Sequence, residues 1–305
     1  MSHSRGSSGG TVSSLVRAYG RRLAEAGVAA PRVDAELLLA HVLDVPRGRL
    51  RVADPPDEAQ LARLAELVER RAGREPLQHL TGTAAFRNLE LAVGPGVFVP
   101  RPETELVAGW AVEALVAAHA LGGAEPVAVD LGTGSGAIAA ALATEVPQAH
   151  VHAVELSPDA YGYAECNLAG TGVDLRLGDL AAAFPDLDGV VDVAVANPPY
   201  IPLDAYVGVD RESREHEPVL ALWSGADGLD AVRAVERAAG RLVRPGGVLG
   251  CEHADAQGES APAVFAATGN WELVRDHRDL NDRPRFVTAR RVSATGARAG
   301  GTMGP

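Results

Sequence analysis

With 305 residues, 47% of them hydrophobic and 22% charged, the chain has the make-up of a soluble globular protein long enough to bury two cores. Its two cysteines, Cys166 and Cys251, fall in separate predicted elements, which argues against a disulfide framework or a cysteine-ligated metal; no metal site is expected. Net charge is −12 with arginine as the only basic residue besides histidine. Residues 1–93 carry 13 Arg against 11 acids (+2) and the remainder 15 Arg against 29 acids (−14), a field that would repel a phosphate backbone, so no direct nucleic-acid partner is expected.

Met1 to Gly10 is Ser/Gly-rich, lacks the apolar stretch of a secretory signal, and is expected to be disordered. No apolar run is read as long enough to cross a bilayer, so the expectation is a cytoplasmic protein with no membrane partner. From Thr11 to Gly27, Leu15, Val16, Tyr19 and Leu23 recur at helical spacing, and Pro31 opens a second helix running through Leu43. Pro55-Pro56-Asp57-Glu58 is a helix-start signature, and Leu61, Leu64, Leu67 and Val68 supply the buried stripe of a third helix. Residues 11–82 therefore read as a small helical bundle suited to recognising a partner. Residues 83–100, with Gly94-Pro95-Gly96, read as a linker holding a short β-hairpin.

Pro102 begins a helix that continues to about Leu121. From Pro126 strand and helix patterns alternate. Seven strands are expected at Val127–Val129, Val151–Val154, Val173–Leu177, Val191–Ala196, Val248–Cys251, Trp271–Val274 and Arg285–Ala289. Helices are expected near Ala137–Thr144, Pro158–Ala169, Leu229–Leu242 and Gln257–Ala267. This is the pattern of a mostly parallel, doubly wound α/β sheet over 101–291, with a disordered Gly/Ala/Ser/Thr tail over 292–305.

Asp130-Leu131-Gly132-Thr133-Gly134-Ser135-Gly136 joins the first strand of this domain to a helix. Glycines at alternate positions let the backbone turn tightly and admit a ligand at close range, where a Cβ would obstruct it. Gly132, Gly134 and Ala137 also fit the loose dinucleotide pattern, so that ligand stays open on the glycines alone. Asp130 tips the balance, because a carboxylate just before the loop suits an ammonium better than a pyrophosphate. The run also fits the Asp/Glu-x-Gly-x-Gly-x-Gly form used by S-adenosylmethionine enzymes. Glu155, ending the second strand, is placed to accept the hydroxyls of a ribose, and Gly178-Asp179 closes the third, where Asp179 would accept an adenine amine with Leu180 against the ring.

The fourth strand runs into Asn197-Pro198-Pro199-Tyr200. Two prolines make this turn stiff and poor in backbone donors, so it offers acceptors: the Asn197 side-chain oxygen and the Pro198 carbonyl. Tyr200 adds a flat ring. The combination suits a planar group bearing an N–H₂, an amide or an exocyclic base amine. Asn197, Pro198 and Tyr200 are the candidate catalytic residues, and Asn197, Pro198, Pro199, Tyr200 and Phe98 the candidate substrate wall. His79, His216 and His253 read as packing or surface rather than as bases. Glu252, at a strand end, carries no assigned role.

Taken together, Glu75 to Gly82, Phe98 to Glu105, Asp130 to Gly136, Asn197 to Tyr200, Glu217-Pro218, Asp227-Gly228-Leu229, and Glu252 with Gln257 resemble the glutamine methyltransferases of peptide-chain release factors, the HemK or PrmC family. The resemblance runs from about Leu15 to Arg290. It departs at Ser224-Gly225, where Gly-Gly is usual, and at Leu280-Asn281-Asp282-Arg283, which only partly matches the family's closing Gly-Arg-Asp-Arg. It implies a seven-stranded Rossmann-like class I methyltransferase sheet with a small N-terminal helical bundle. It further implies S-adenosylmethionine as cofactor, held by Asp130, Gly132, Thr133, Gly134, Ser135, Gly136, Glu155, Asp179, Leu180 and Asn197. The implied reaction is N5 methylation of the glutamine in the Gly-Gly-Gln motif of class 1 release factors, without a covalent enzyme intermediate. A ribosomal-protein glutamine methyltransferase and an adenine-N6 methyltransferase are the competing readings, the second disfavoured by the acidic catalytic region and its need to expose a base.

Overall fold

The computed structural model describes residues 11–122 and 125–293, and these form two compact units. Both expected disordered ends, 1–10 and all but the first two residues of 292–305, lie outside the described residues.

Among the described residues, the first unit comprises 11–83 together with Val209–His216. Thr11 caps α1 (Val12–Glu25) by accepting the Ser14 N–H, and Pro31 occupies the first turn of α2 (Pro31–Leu43), which stops at Asp44 in the left-handed region. Asp57 and Gln60 form a reciprocal capping box on α3 (Glu58–Ala72), at 2.8 and 2.9 Å. A short α4 (Leu77–Thr81) ends at Gly82, φ +78°. Leu23, Leu38, Leu39, Leu64, Leu67 and Val68 meet in a fully enclosed core, as the helical spacing requires.

Val209–His216 was expected inside an unbroken catalytic domain over 101–291. It groups instead with the helices, because buried Arg71 divides its fork between Asp34 Oδ2 (2.7 Å) and Glu212 Oε1 (2.8 Å), and Arg74 reaches the same Glu212 oxygen at 2.9 Å.

The second unit begins at Ala84, within a hairpin of β1 (Thr83–Phe86) and β2 (Leu89–Ala92), followed by α5 (Thr104–Gly122). The sheet elements then alternate as expected: β3 (Val127–Leu131), α6 (Ala137–Glu145), β4 (His150–Glu155), α7 (Pro158–Leu168), β5 (Asp174–Leu177) and β6 (Val191–Ala196). Past α8 (Arg211–His216), which belongs to the first unit, come α9 (Val219–Leu222), α10 (Asp230–Leu242), β7 (Val243–Glu252), α11 (Ser260–Ala266), β8 (Trp271–Arg278) and β9 (Pro284–Arg291). Strand order is β5-β4-β3-β6-β7-β9-β8; the first five are parallel, and β9 runs antiparallel to both β7 and β8. The β8–β9 connection is too short for a crossover, which forces the antiparallel pair.

Alternation along the strands sorts the core into two layers. Ala128, Val193 and Val195 face one layer with α5 and α6 residues, while Val129, Leu131, Ala194 and Ala196 face the other with α10 and α11 residues. One expectation fails here: α5 is long and apolar enough, over Thr104–Leu121, to cross a membrane. In this fold its Val107, Ala108, Ala111 and Leu115 are buried in the first of those layers.

Candidate active site

β3 and β6 are neighbours in parallel register, with Asp130 opposite Val195. The residues that follow, Gly132 on one strand and Asn197 on the other, therefore emerge side by side at the carboxyl edge of the sheet, the edge where open α/β sheets bind ligands. The glycine loop turns through left-handed conformations at Gly132 (φ +81°), Gly134 (φ +58°) and Gly136 (φ +83°). A Cβ at Gly132 or Gly134 would project into open space, so these two line a cradle; one at Gly136 would press on Leu168 at 3.1 Å, so that glycine serves helix packing.

Asp130 is completely buried beneath this loop. Its Oδ2 accepts from the Thr133 hydroxyl (2.6 Å) and the Ala139 N–H (3.2 Å), and its Oδ1 has no partner. Burial pushes its carboxyl up to about 7, against the two hydrogen bonds that favour the anion. An orphaned acceptor with a raised proton affinity, walled by a glycine cradle, fits the ammonium of an amino-acid arm. Ser135 is buried in the same loop, and its carbonyl accepts from Asn167 Nδ2 at 2.8 Å.

Glu155, at the end of β4, accepts one backbone N–H on each oxygen, Gly134 on Oε2 and Ser157 on Oε1, both at 2.8 Å. It thereby fixes the loop, and each oxygen keeps a second lone pair for a ribose hydroxyl. Asp179 is exposed just past β5, its Oδ1 accepting the Ala181 N–H (2.9 Å) in a turn, and half-buried Leu180 packs against the second core layer.

Beyond β6, Asn197 is half-buried and Pro198 buried. Asn197 Nδ2 donates to the Thr104 hydroxyl oxygen at 3.0 Å, and its Oδ1 takes no hydrogen bond from the described residues. The Tyr200 hydroxyl donates to Glu252 Oε1 at 3.3 Å; burial and the neighbouring carboxylate hold this phenol well above its usual range. The Tyr200 carbonyl accepts from Gln257 Nε2 (3.1 Å), which also bridges to the Asp227 and Gly228 carbonyls at 3.3 Å each. Gly228 (φ +75°) is required for that closeness, since a Cβ there would stand 2.3 Å from the Tyr200 oxygen. Ser224, at the departure from Gly-Gly, receives the Ala231 N–H at 2.8 Å and so caps the start of α10.

Phe98 carries the Arg101 guanidinium 4.9 Å over its ring, and Arg101 Nη2 reaches both oxygens of buried Glu217 at 2.7 Å. Thr104, Arg101, Glu217 and Gln257 were given no role from sequence, although all four lie within the motif segments; their partners are remote in the chain, and spacing carries no signal for such pairs.

Comparison with known proteins adds the family. Residues 14–82 match the PrmC N-terminal domain, and residues 128–212 a methyltransferase domain. The chain is 58% identical to the release factor glutamine methyltransferase of Streptomyces coelicolor, over 89% of this chain and 95% of that one. It is 50% identical to that of Mycolicibacterium smegmatis, over 89% and 94%. The chain belongs to the release factor glutamine methyltransferase family.

This family member is an S-adenosylmethionine-dependent methyltransferase with the class I sheet. It is also 43% identical, over 86% of its length and 89% of the other, to a 4-amino-L-phenylalanine/4-methylamino-L-phenylalanine methyltransferase of Streptomyces pristinaespiralis.

Proposed function

We propose that this methyltransferase transfers the methyl group of S-adenosylmethionine to the side-chain amide nitrogen, N5, of the glutamine in the Gly-Gly-Gln motif of class 1 peptide-chain release factors. The observation that carries this reading is the Asn197 carboxamide, its nitrogen tied to Thr104 and its oxygen left open, one parallel strand away from the glycine cradle and the orphaned Asp130 oxygen. When bound, the sulfonium would supply an electrophilic methyl, the S–CH₃ bond breaking with its electron pair kept by sulfur as the N–CH₃ bond forms, and the nitrogen would release one proton to water.

The rest is done by this chain. Asp130 holds the ammonium, Gly132 to Gly136 admit the arm, Glu155 takes the ribose, and Asp179 with Leu180 flanks the base. Asn197 Oδ1 and the Pro198 carbonyl accept the two amide hydrogens of the substrate and aim its nitrogen, while Tyr200, Pro199 and Phe98 wall the planar group. An amide nitrogen is a weak nucleophile because its lone pair is delocalised, so rate comes from placement; oriented groups of this kind are worth roughly 7–11 kcal/mol in favourable cases. The helical unit serves as the recognition arm for the folded release factor. Such a substrate places the enzyme in the cytoplasm, and the −14 balance after Val93 favours protein over nucleic acid.

Transfer of labelled methyl to purified release factor tests the proposal. Label is expected on wild-type factor and absent when the Gly-Gly-Gln glutamine is replaced. Labelling of that variant, or preferred labelling of ribosomal protein, nucleic acid or free 4-aminophenylalanine offered in parallel, would reject it.

A further inference from the structure

Asn197 presents an acceptor only if its amide is held one way round, and an unrestrained carboxamide has two faces of opposite polarity. The structure restrains it through two residues that never meet the substrate in the reading above. β6 and β7 are parallel with Ala196 opposite Cys251, so Asn197 and Glu252 leave the sheet as neighbours, and Thr104, the first residue of α5, stands between them. Thr104 is 4% exposed and Glu252 1%. Burial raises the Glu252 carboxyl, the Thr104 hydroxyl bonds it in its charged form against that shift, and Tyr200 donates to Glu252 Oε1. Oε2 has no hydrogen-bond partner among the described residues.

We infer that Thr104 and Glu252 are positioning residues that set the polarity of the Asn197 carboxamide and, through it, of the methyl-acceptor pocket. In its ionised form Glu252 accepts only, so Thr104 then turns its single proton toward Glu252 and keeps only lone pairs for Asn197. Lone pairs can receive Nδ2–H but not Oδ1. The amide is thereby locked with its oxygen toward the substrate N–H₂. Tyr200 is pinned by the same carboxylate, so one buried charge fixes both the acceptor and the aromatic wall. The requirement for a carboxylate rather than an amide follows: a glutamine at 252 can donate to Thr104, free the threonine proton to face Asn197, and let the amide turn over. The pocket would then oppose donor to donor.

The inference rests on the proposed role of Asn197 in accepting the substrate amide. Its test uses the full-length enzyme and compares Thr104→Val, Thr104→Ser, Glu252→Gln and the Val/Gln double variant. Each is measured for kcat, KM, S-adenosylmethionine binding by equilibrium dialysis, and melting temperature. Thr104→Val and Glu252→Gln should each lower kcat by about 10- to 100-fold, the scale of a small misplacement at a reacting centre, with cofactor affinity unchanged. Thr104→Ser should recover most of the rate, and the double variant should be no slower than the worse single, because both break one chain of hydrogen bonds. A Thr104→Val enzyme with wild-type kcat, a serine variant that folds but does not recover, or additive losses would overturn the inference. Should Glu252→Gln fail to fold, the valine and serine pair decides alone. Should the wild-type enzyme methylate only another acceptor, the same ratios are taken on that acceptor, so the substrate proposal fails separately from this one.

Discussion

Asp34 and Asp130 are both buried aspartates, one in each unit, and they are treated differently. Asp34 meets the Arg71 fork, which gives its remaining N–H groups to the Glu75 carbonyl (2.9 Å) and to Glu212. Asp130 is more deeply buried and meets no cation among the described residues, and Glu252, buried at the end of β7, has its carboxyl pushed up to about 7 by burial against weaker help from Thr104 and Arg285. A paired buried charge is neutral to stability as a unit and costly when halved; an unpaired one costs the fold continuously. The helical unit uses carboxylates as fasteners. The catalytic unit tolerates them as sites, and the tolerance marks where ligand chemistry belongs.

The comparison is broken most severely by halving the pair. Arg71→Ala strands Asp34 without its guanidinium inside the helical unit and leaves Glu212 with Arg74 alone, and the expected loss is about 3–5 kcal/mol of stability. Differential melting should show it, with cofactor affinity retained; a melting temperature equal to wild type would mean that the Arg71 cluster fastens nothing. Asn197→Ala does the opposite: it should leave the melting curve in place and reduce kcat by about 10²–10³-fold, the cost of removing one preorganised polar group from a reacting centre. Single-turnover assays at saturating cofactor read that number directly, and a loss confined to KM would show that Asn197 only binds.

These two effects also explain what was legible in the sequence. The seven strands, the glycine loop and Asn197-Pro198-Pro199-Tyr200 are local signals, written in period-two apolar runs, in positions that need positive φ, and in a turn with few donors. Arg71 and Glu212 stand 141 positions apart, and Arg211 to His216 has no apolar periodicity, so nothing local reveals that this segment joins the helices. Thr104 likewise reads as an ordinary residue at a helix start, while its partner Asn197 lies 93 positions on. Local rules recover elements and loops. Polar pairings across the chain are made by topology and become visible only when strands and helices are placed.

A smaller effect sharpens the contrast from the other side. Asp130 is raised from 3.8 to about 7, so the folded apoenzyme holds a proton that the unfolded chain releases. The stability associated with that proton is complete below about pH 4 and is lost as pH rises through about 7, an effect of about 2–4 kcal/mol. Asp130→Asn keeps an oxygen for Thr133 and Ala139 and removes the ionisation. Its apoenzyme should therefore melt higher than wild type at pH 8 and by a smaller margin at pH 5, while cofactor binding is lost at both. Melting curves at the two pH values, with and without S-adenosylmethionine, check the sign. A variant that is less stable at pH 8 would show that Asp130 is a fastener like Asp34.

The mildest test concerns a place beside the acceptor site where the catalytic unit adopts the helical unit's habit. Arg101 lies against both oxygens of buried Glu217 and over the Phe98 ring, so here a paired charge braces a wall of the acceptor site. Arg101→Lys preserves the charge, and so spares Glu217 from being stranded, but it loses the planar fork and the stacking face. A stacked cation near the surface contributes about 0.5–1 kcal/mol, which predicts a two- to fivefold rise in KM for the methyl acceptor. Because Asn197 and its neighbours are untouched, kcat and cofactor affinity should hold. A fall in kcat instead would mean that the Phe98 wall aims the substrate as well as enclosing it, and the division between fastening charges and working charges would then have to be drawn inside the active site rather than between the two units.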